Sequence, residues 1–300
     1  MFSPASISPA RFVQLARWAL WLNVAIVITG ASVRLTGSGL GCTDWPNCED
    51  DQFVASADHH AWIEFGNRLF TGAVGIAVIL AVLGSRRRDP RRPELVRWSF
   101  GLVAGVLAQA ILGAFVVRSE LAPQMTMAHF LLSMVLLWNA TVLLEKAREF
   151  DRPSPPGPGP MRALSRLVFV WCGGLLVTGT IVTGSGPHSG SDEPEVATRL
   201  PFLVRDVTRI HSITAIVALG LVLFTVRRAH RAALWNLREQ AMRVVPLLLA
   251  QGAVGYWQYF SGVPVVLVGL HIALASLAWI QVVRLALVGE RVLDHTMVPA

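Results

Sequence analysis

Three histidines stand inside long apolar runs: His129 in TMAHFLL, His211 in TRIHSIT and His271 in VGLHIAL. Neutral imidazole is a frequent metal ligand, and haem iron is among the metals it binds. A single membrane histidine reads more economically as a hydrogen bond between helices. Three at similar depth, in three different runs, favour ligation. His211 and His271 can then face each other across a planar macrocycle. No run holds the cysteine cluster that an iron–sulfur centre needs, and a zinc site needs further ligands at that depth. A second set of reactive side chains lies between Gly30 and Arg68: Cys42 and Cys48, then Glu64, Asn67 and Arg68 at the start of an apolar run. Ionisable groups are expensive there and mark function by default. The Glu64 carboxylate could take a proton or stabilise positive charge on a substrate, while its simpler reading is an i,i+4 pair with Arg68. Outside the cytoplasm Cys42 and Cys48 can form a disulfide, which spacing alone leaves open. Cys172, inside a run, reads as packing.

The elements that must position these groups are membrane helices. Of the 300 residues, 53% are hydrophobic and 15% charged, against about 25% charged in a soluble domain. Apolar runs of about 20 residues predict an all-α polytopic membrane protein with eight transmembrane helices. Their expected bounds are 12–33, 62–83, 97–118, 125–145, 162–182, 207–226, 243–261 and 264–288. The formal net charge of +7 is no nucleic-acid footprint, because the basic residues sit between the runs. The loops 84–97 and 227–243 and the linker 145–162 are basic and fall on one side. The positive-inside rule therefore predicts cytoplasmic N and C termini and histidines toward the extracytoplasmic side of the cell membrane.

The chain also reads as two copies of one unit. Thr29-Gly30 leads to TGSG at 36–39, and Thr178-Gly179 to TGSG at 183–186. Gln109, Gly113 and His129 recur in order and spacing as Gln251, Gly255 and His271. Small residues in membrane helices are individually weak signals; agreement in three places is not. The reading is two four-helix bundles, 1–150 and 162–300, related by a pseudo-two-fold axis along the membrane normal. A Pro/Gly-rich cytoplasmic linker, 151–161, joins them. Aligning the copies puts Asn67, a poor iron ligand, opposite His211. His59 and His60 read as solvated loop residues or substitute ligands. Arg34, Arg68, Arg118, Arg205 and Arg209, near outer span ends, read as snorkelling anchors or as partners for haem propionates.

The stretch GASVRLTGSGLGCTDWPNC, followed by IEFGNRLFTG and the membrane histidines in duplicated halves, resembles the haem A synthase family along nearly the whole chain. The resemblance implies oxidation of the C8 methyl of haem O to a formyl group, giving haem A for terminal oxidases. It implies a haem b cofactor on His211 and His271, and substrate haem held by His129 at the Asn67 and Arg68 positions. It further implies an essential Glu64 and a reactive Cys42–Cys48 pair. Where this chain has Asn67 the family commonly has His, which implies an open or water-bound iron position. Expected partners are haem O, haem O synthase (protohaem farnesyltransferase), oxidase assembly factors, membrane lipid and a second copy of the chain. A b-type cytochrome in quinol electron transfer and a non-catalytic haem-binding assembly factor are the competing readings.

Overall fold

The structure, a computed structural model, describes residues 6–49, 52–148, 157–191 and 198–291. Most of the expected linker, and part of the segment between the fifth and sixth helices, lie outside the described residues. Eight α-helices account for the fold: α1 (Pro9–Leu35), α2 (His59–Arg87), α3 (Pro93–Arg118), α4 (Pro123–Arg148), α5 (Gly159–Ser185), α6 (Val204–Arg231), α7 (Trp235–Phe260) and α8 (Val265–Gly289). Each overlaps an expected span, and most run on by about a turn. Seven of them are long and apolar enough to cross a membrane, making this a multi-pass membrane protein. The exception is α7, whose first turns carry Arg238, Glu239 and Arg243 and whose interior holds Pro246 and Gln251.

Local chemistry sets the helix ends. Proline occupies the first turn of α1, α3 and α5, where no backbone N–H is needed. This is why α5 begins at Gly159, within the stretch expected to be linker. Asp58 caps α2, its side chain accepting from the Ala61 N–H at 3.0 Å. The α3–α4 and α7–α8 turns are built alike. Ser119 and Ser261 are the respective C-caps. Leu121 and Val263 both take positive φ, 60° and 59°. Their N–H groups reach back to Val116 O at 2.9 Å and Gln258 O at 2.7 Å. Left-handed backbone is disfavoured for side chains of this kind, so its recurrence at one register marks a common design.

Within each half, neighbouring helices follow the same order: α1 packs on α2, α2 on α3, α3 on α4 and α4 on α1, as α5 does on α6, α6 on α7, α7 on α8 and α8 on α5. The halves meet through α1, α4, α5 and α8. One continuous apolar core runs through both, including Leu20, Val78, Leu137 and Leu143 from the first half and Val168, Val222 and Leu285 from the second. Trp279 of α8 donates its indole N–H to Met134 O of α4 at 2.8 Å, satisfying a buried donor across the interface. At the histidine-bearing end, Gly39 N–H donates to Gly190 O at 2.7 Å. Arg34 also donates to Thr183 O at 3.1 Å. The first TGSG turn thus packs on the loop after the second, with Gly37 at φ 72° supplying the bend.

Candidate haem sites

His129, Asn67, His211 and His271 lie six to eight residues beyond the first residues of α4, α2, α6 and α8. All four therefore sit at the same end of the bundle. His211 and His271 approach each other, with ring centroids 6.4 Å apart and planes inclined by 67°. Two metal–nitrogen bonds of about 2 Å, plus about 1 Å from each ring nitrogen to its ring centre, span about 6 Å. The pair therefore fits two axial ligands of one metal. Among the described residues no three His, Cys, Asp or Glu side chains cluster as a metal-binding set. A metal held here needs its remaining ligands from elsewhere, as a porphyrin provides.

Each of the four positions is backed by a glycine on an adjacent helix. A Cβ on Gly179 would stand 3.1 Å from His211 Cε1, and one on Gly255 3.2 Å from His271 Cε1. In the first half, a Cβ on Gly113 would stand 3.5 Å from His129 Cε1, and one on Gly30 3.8 Å from Asn67 Nδ2. The threonines before two of these glycines are also matched. Thr178 Oγ1 lies 2.9 Å from His211 Nδ1, and Thr29 Oγ1 lies 2.8 Å from Asn67 Oδ1. Asn67 is therefore the positional counterpart of His211 in contacts as well as in alignment. The buried polar atoms without a hydrogen-bond partner repeat too: His129 Nδ1 and Gln109 Oε1 in one half, His271 Nδ1 and Gln251 Oε1 in the other. Buried groups of this kind cost about 1–3 kcal/mol each, and their recurrence at matched positions marks a feature common to both halves.

The first half carries a loop between α1 and α2 that is described at 36–49 and 52–58. Cys42 and Cys48 are joined by a disulfide, S–S 2.03 Å, and both are fully buried. Glu64 is buried at 7% exposure with both carboxylate oxygens committed. Oε2 accepts from Cys42 N–H at 2.9 Å. Oε1 accepts from Arg68 at 2.6 Å (Nη2) and 3.2 Å (Nε). Arg68 goes on to donate to Asp44 O at 2.9 Å and Asn47 O at 2.8 Å. The expected i,i+4 pair exists, and it clamps the disulfide loop onto α2. Gly41 passes so close to the start of α2 that a Cβ would collide with the His60 carbonyl. His60 Nδ1 stands 2.9 Å from Ser38 Oγ, which ties it to the TGSG turn. Trp45 and Pro46 of the loop line an open cavity of about 270 Å³ together with Ile111, Ala114, Phe115 and Arg118 of α3. Arg205 and Arg209 stand on the exposed Asp206, 3.4 and 3.9 Å away.

The clamp between Arg68 and the loop carbonyls escaped the sequence, since backbone acceptors leave no signature there. The threonine contacts were present only as repeat spacings.

Residues 14–283 match the family model COX15-CtaA, described as cytochrome oxidase assembly protein. The chain is 32% identical over 156 residues to a haem A synthase of Geobacillus thermodenitrificans, covering 51% of this chain and 49% of that protein. It is 27% identical over 255 residues to a haem A synthase of Exiguobacterium sibiricum, covering 79% and 81%. It is also 27% identical over 285 residues to a protohaem IX farnesyltransferase of Thermus thermophilus, covering 89% of this chain and 44% of that protein. In the Geobacillus thermodenitrificans and Thermus thermophilus pairs the matched stretch spans about half the relative or less. With nearly all of its helical body inside the matched family model, the chain belongs to the COX15-CtaA family of cytochrome oxidase assembly proteins.

Proposed function

We propose that this protein is a haem A synthase, oxidising the C8 methyl of haem O to the formyl group of haem A for terminal oxidases. The observation that carries the reading is the facing pair His211 and His271, 6.4 Å apart, in a chain of this family. The other half offers one imidazole, His129, and an amide, Asn67, at the matched positions. The shared neighbour order of α1–α4 and α5–α8 supports a pseudo-two-fold axis along the membrane normal. The basic loops support termini in the cytoplasm and both sites toward the extracytoplasmic face of the cell membrane. Similarity to a protein named protohaem IX farnesyltransferase supports a supply of farnesylated haem from an enzyme of that type.

In the second half, His211 and His271 hold haem b, which supplies one-electron transfer when bound. Gly179 and Gly255 leave room for the two rings. In the first half, His129 ligates the substrate iron from one side. Asn67 donates no strong ligand, so the opposite iron face stays open. In each of two successive steps the methyl carbon takes oxygen from water and gives up two protons and two electrons, to the alcohol and then to the hydrated aldehyde, which loses water; the four electrons pass to an external oxidant. Glu64 and Arg68 hold the disulfide loop over this half. Glu64 also supplies the negative charge that stabilises positive charge developing on the substrate, or the base that takes its proton. Arg118, lining the same cavity as the loop, offers a cation to a substrate carboxylate.

The test is expression of the chain with a haem O source, followed by chromatography of extracted haem. Haem A in the extract is the expected result. A bound haem O with no oxidised product would assign the chain to non-catalytic haem handling. Haem b alone, reduced by quinol, would assign it to electron transfer.

A further inference from the structure

An imidazole binds a metal only through a nitrogen that carries no proton, so the tautomer of a ligand histidine is part of its site. At His211 the tautomer follows from the bonding of Thr178. Thr178 Oγ1 lies 2.9 Å from Leu175 O and 2.9 Å from His211 Nδ1. A hydroxyl has one hydrogen to donate, and Leu175 O can only accept. With that hydrogen given to Leu175, Oγ1 presents lone pairs to the ring, and the contact requires Nδ1–H as donor. Nε2 is left bare. Gly179, next in sequence, leaves open the space where a Cβ would stand 3.1 Å from His211 Cε1. The first half keeps the same threonine with the opposite sense: Thr29 Oγ1 donates to Asn67 Oδ1 at 2.8 Å, with Ile26 O 3.3 Å away and Gly30 behind it.

We propose that Thr178 is a positioning residue that fixes the His211 proton on Nδ1 and so turns Nε2 toward haem iron, and that Thr29 is an equivalent still in place behind Asn67. The proposal rests on the haem reading given above. It explains why Thr-Gly recurs in α1 and α5 although only one of the two copies backs a histidine. It also makes Asn67 the single change that separates a site with one imidazole from a site with two.

The experiment uses the full-length protein, purified in detergent from cells supplied with haem. Wild type, Thr178→Val, Thr178→Ser and Asn67→His are compared by low-temperature electron paramagnetic resonance, redox titration and haem retention. Wild type shows a low-spin bis-imidazole signal. Thr178→Val keeps the volume and loses the hydroxyl. It raises the midpoint potential, because the imidazole loses the acceptor that made it a stronger donor. Loss of a ligand's supporting bond also weakens haem retention by about 10- to 100-fold. Thr178→Ser returns both properties toward wild type. Asn67→His adds a second low-spin signal, and adding Thr29→Val weakens it. If Thr178→Val matches wild type, or Val and Ser shift alike, the positioning role is wrong while the haem reading stands. Without a second signal in Asn67→His, the role given to Thr29 is wrong. Wild type with no low-spin haem signal overturns the haem reading itself. Should Thr178→Val not fold, Thr178→Ala read against Thr178→Ser decides the same point.

Discussion

The two halves of this chain place matching parts around different centres. In α5–α8, Thr178, Gly179 and Gly255 back two imidazoles that face each other. In α1–α4, Thr29, Gly30 and Gly113 back one imidazole and one amide. The first half also carries a disulfide loop pinned by Glu64 and Arg68, with Trp45 and Pro46 lining a cavity with α3. A metal ligated on both faces is closed to further chemistry and suited to passing electrons. One ligated on a single face has an open position. The comparison teaches that a single side chain, Asn67 in place of the histidine at 211, separates matched positions whose threonine and glycine neighbours are the same.

The largest effect should come from removing a ligand of the closed site. His271→Ala leaves His211 with no partner across the slot, and the bis-imidazole signal disappears in electron paramagnetic resonance. If that signal survives, the pair is not the ligand set. Next comes the clamp. Glu64→Gln replaces one oxygen with an N–H donor, which must then face either the Cys42 N–H or the Arg68 guanidinium. Conversion of haem O should fall by about 10²-fold or more, with the second-half haem spectrum unchanged. Full conversion in this variant would show that the carboxylate is dispensable. The disulfide itself should matter less to the body of the fold. Replacing both Cys42 and Cys48 by serine frees a short loop and costs about 2 kcal/mol, measured as a lower thermal midpoint in detergent. A midpoint equal to wild type would mean that Glu64 and Arg68 hold the loop unaided.

The glycines give a smaller and more discriminating contrast. At Gly179 a methyl would meet the His211 ring at 3.1 Å, whereas at Gly30 it would meet Asn67 at 3.8 Å. Gly179→Ala should broaden or shift the low-spin signal, and Gly30→Ala should leave the spectrum and the thermal midpoint close to wild type. The reverse order would contradict the assignment of the tighter slot. The smallest effect belongs to Asp58, outside both sites. Its bond from the Ala61 N–H holds its carboxyl below the usual range. A depressed folded-state value contributes stability above the unfolded value and loses it as pH falls. Asp58→Ala should therefore lower the thermal midpoint slightly at neutral pH, with the gap narrowing in acid. A gap that widens in acid would refute the cap.

Much of this architecture was legible in the residues. Apolar runs placed eight helices, and seven of them are long and apolar enough to cross a bilayer; α7, with charges in its first turns and Pro246 and Gln251 inside, is not. The recurrence of Gln109, Gly113 and His129 as Gln251, Gly255 and His271 gave the register between halves, which the shared turn geometry at Leu121 and Val263 repeats in the backbone. The relation of Asn67 to His211 was legible for the same reason. What the residues could not give was contact across the fold. Arg68 reaches the carbonyls of Asp44 and Asn47, and every residue type has a carbonyl. Thr178 looked like one more small residue in a membrane helix until its oxygen was found between Leu175 O and His211. α7, too polar by composition alone to be counted as a span, packs on α6 and α8.

The central claim is that the half with a single histidine does the oxidation while the half with two carries a resident haem. Chromatography of the haems co-purifying with wild type and with His129→Ala tests it most directly. The account predicts haem b in both preparations, with haem O and its oxidised products present in wild type and lost from His129→Ala. Undiminished haem A in His129→Ala, or haem b lost together with it, would contradict the division of labour between the two halves.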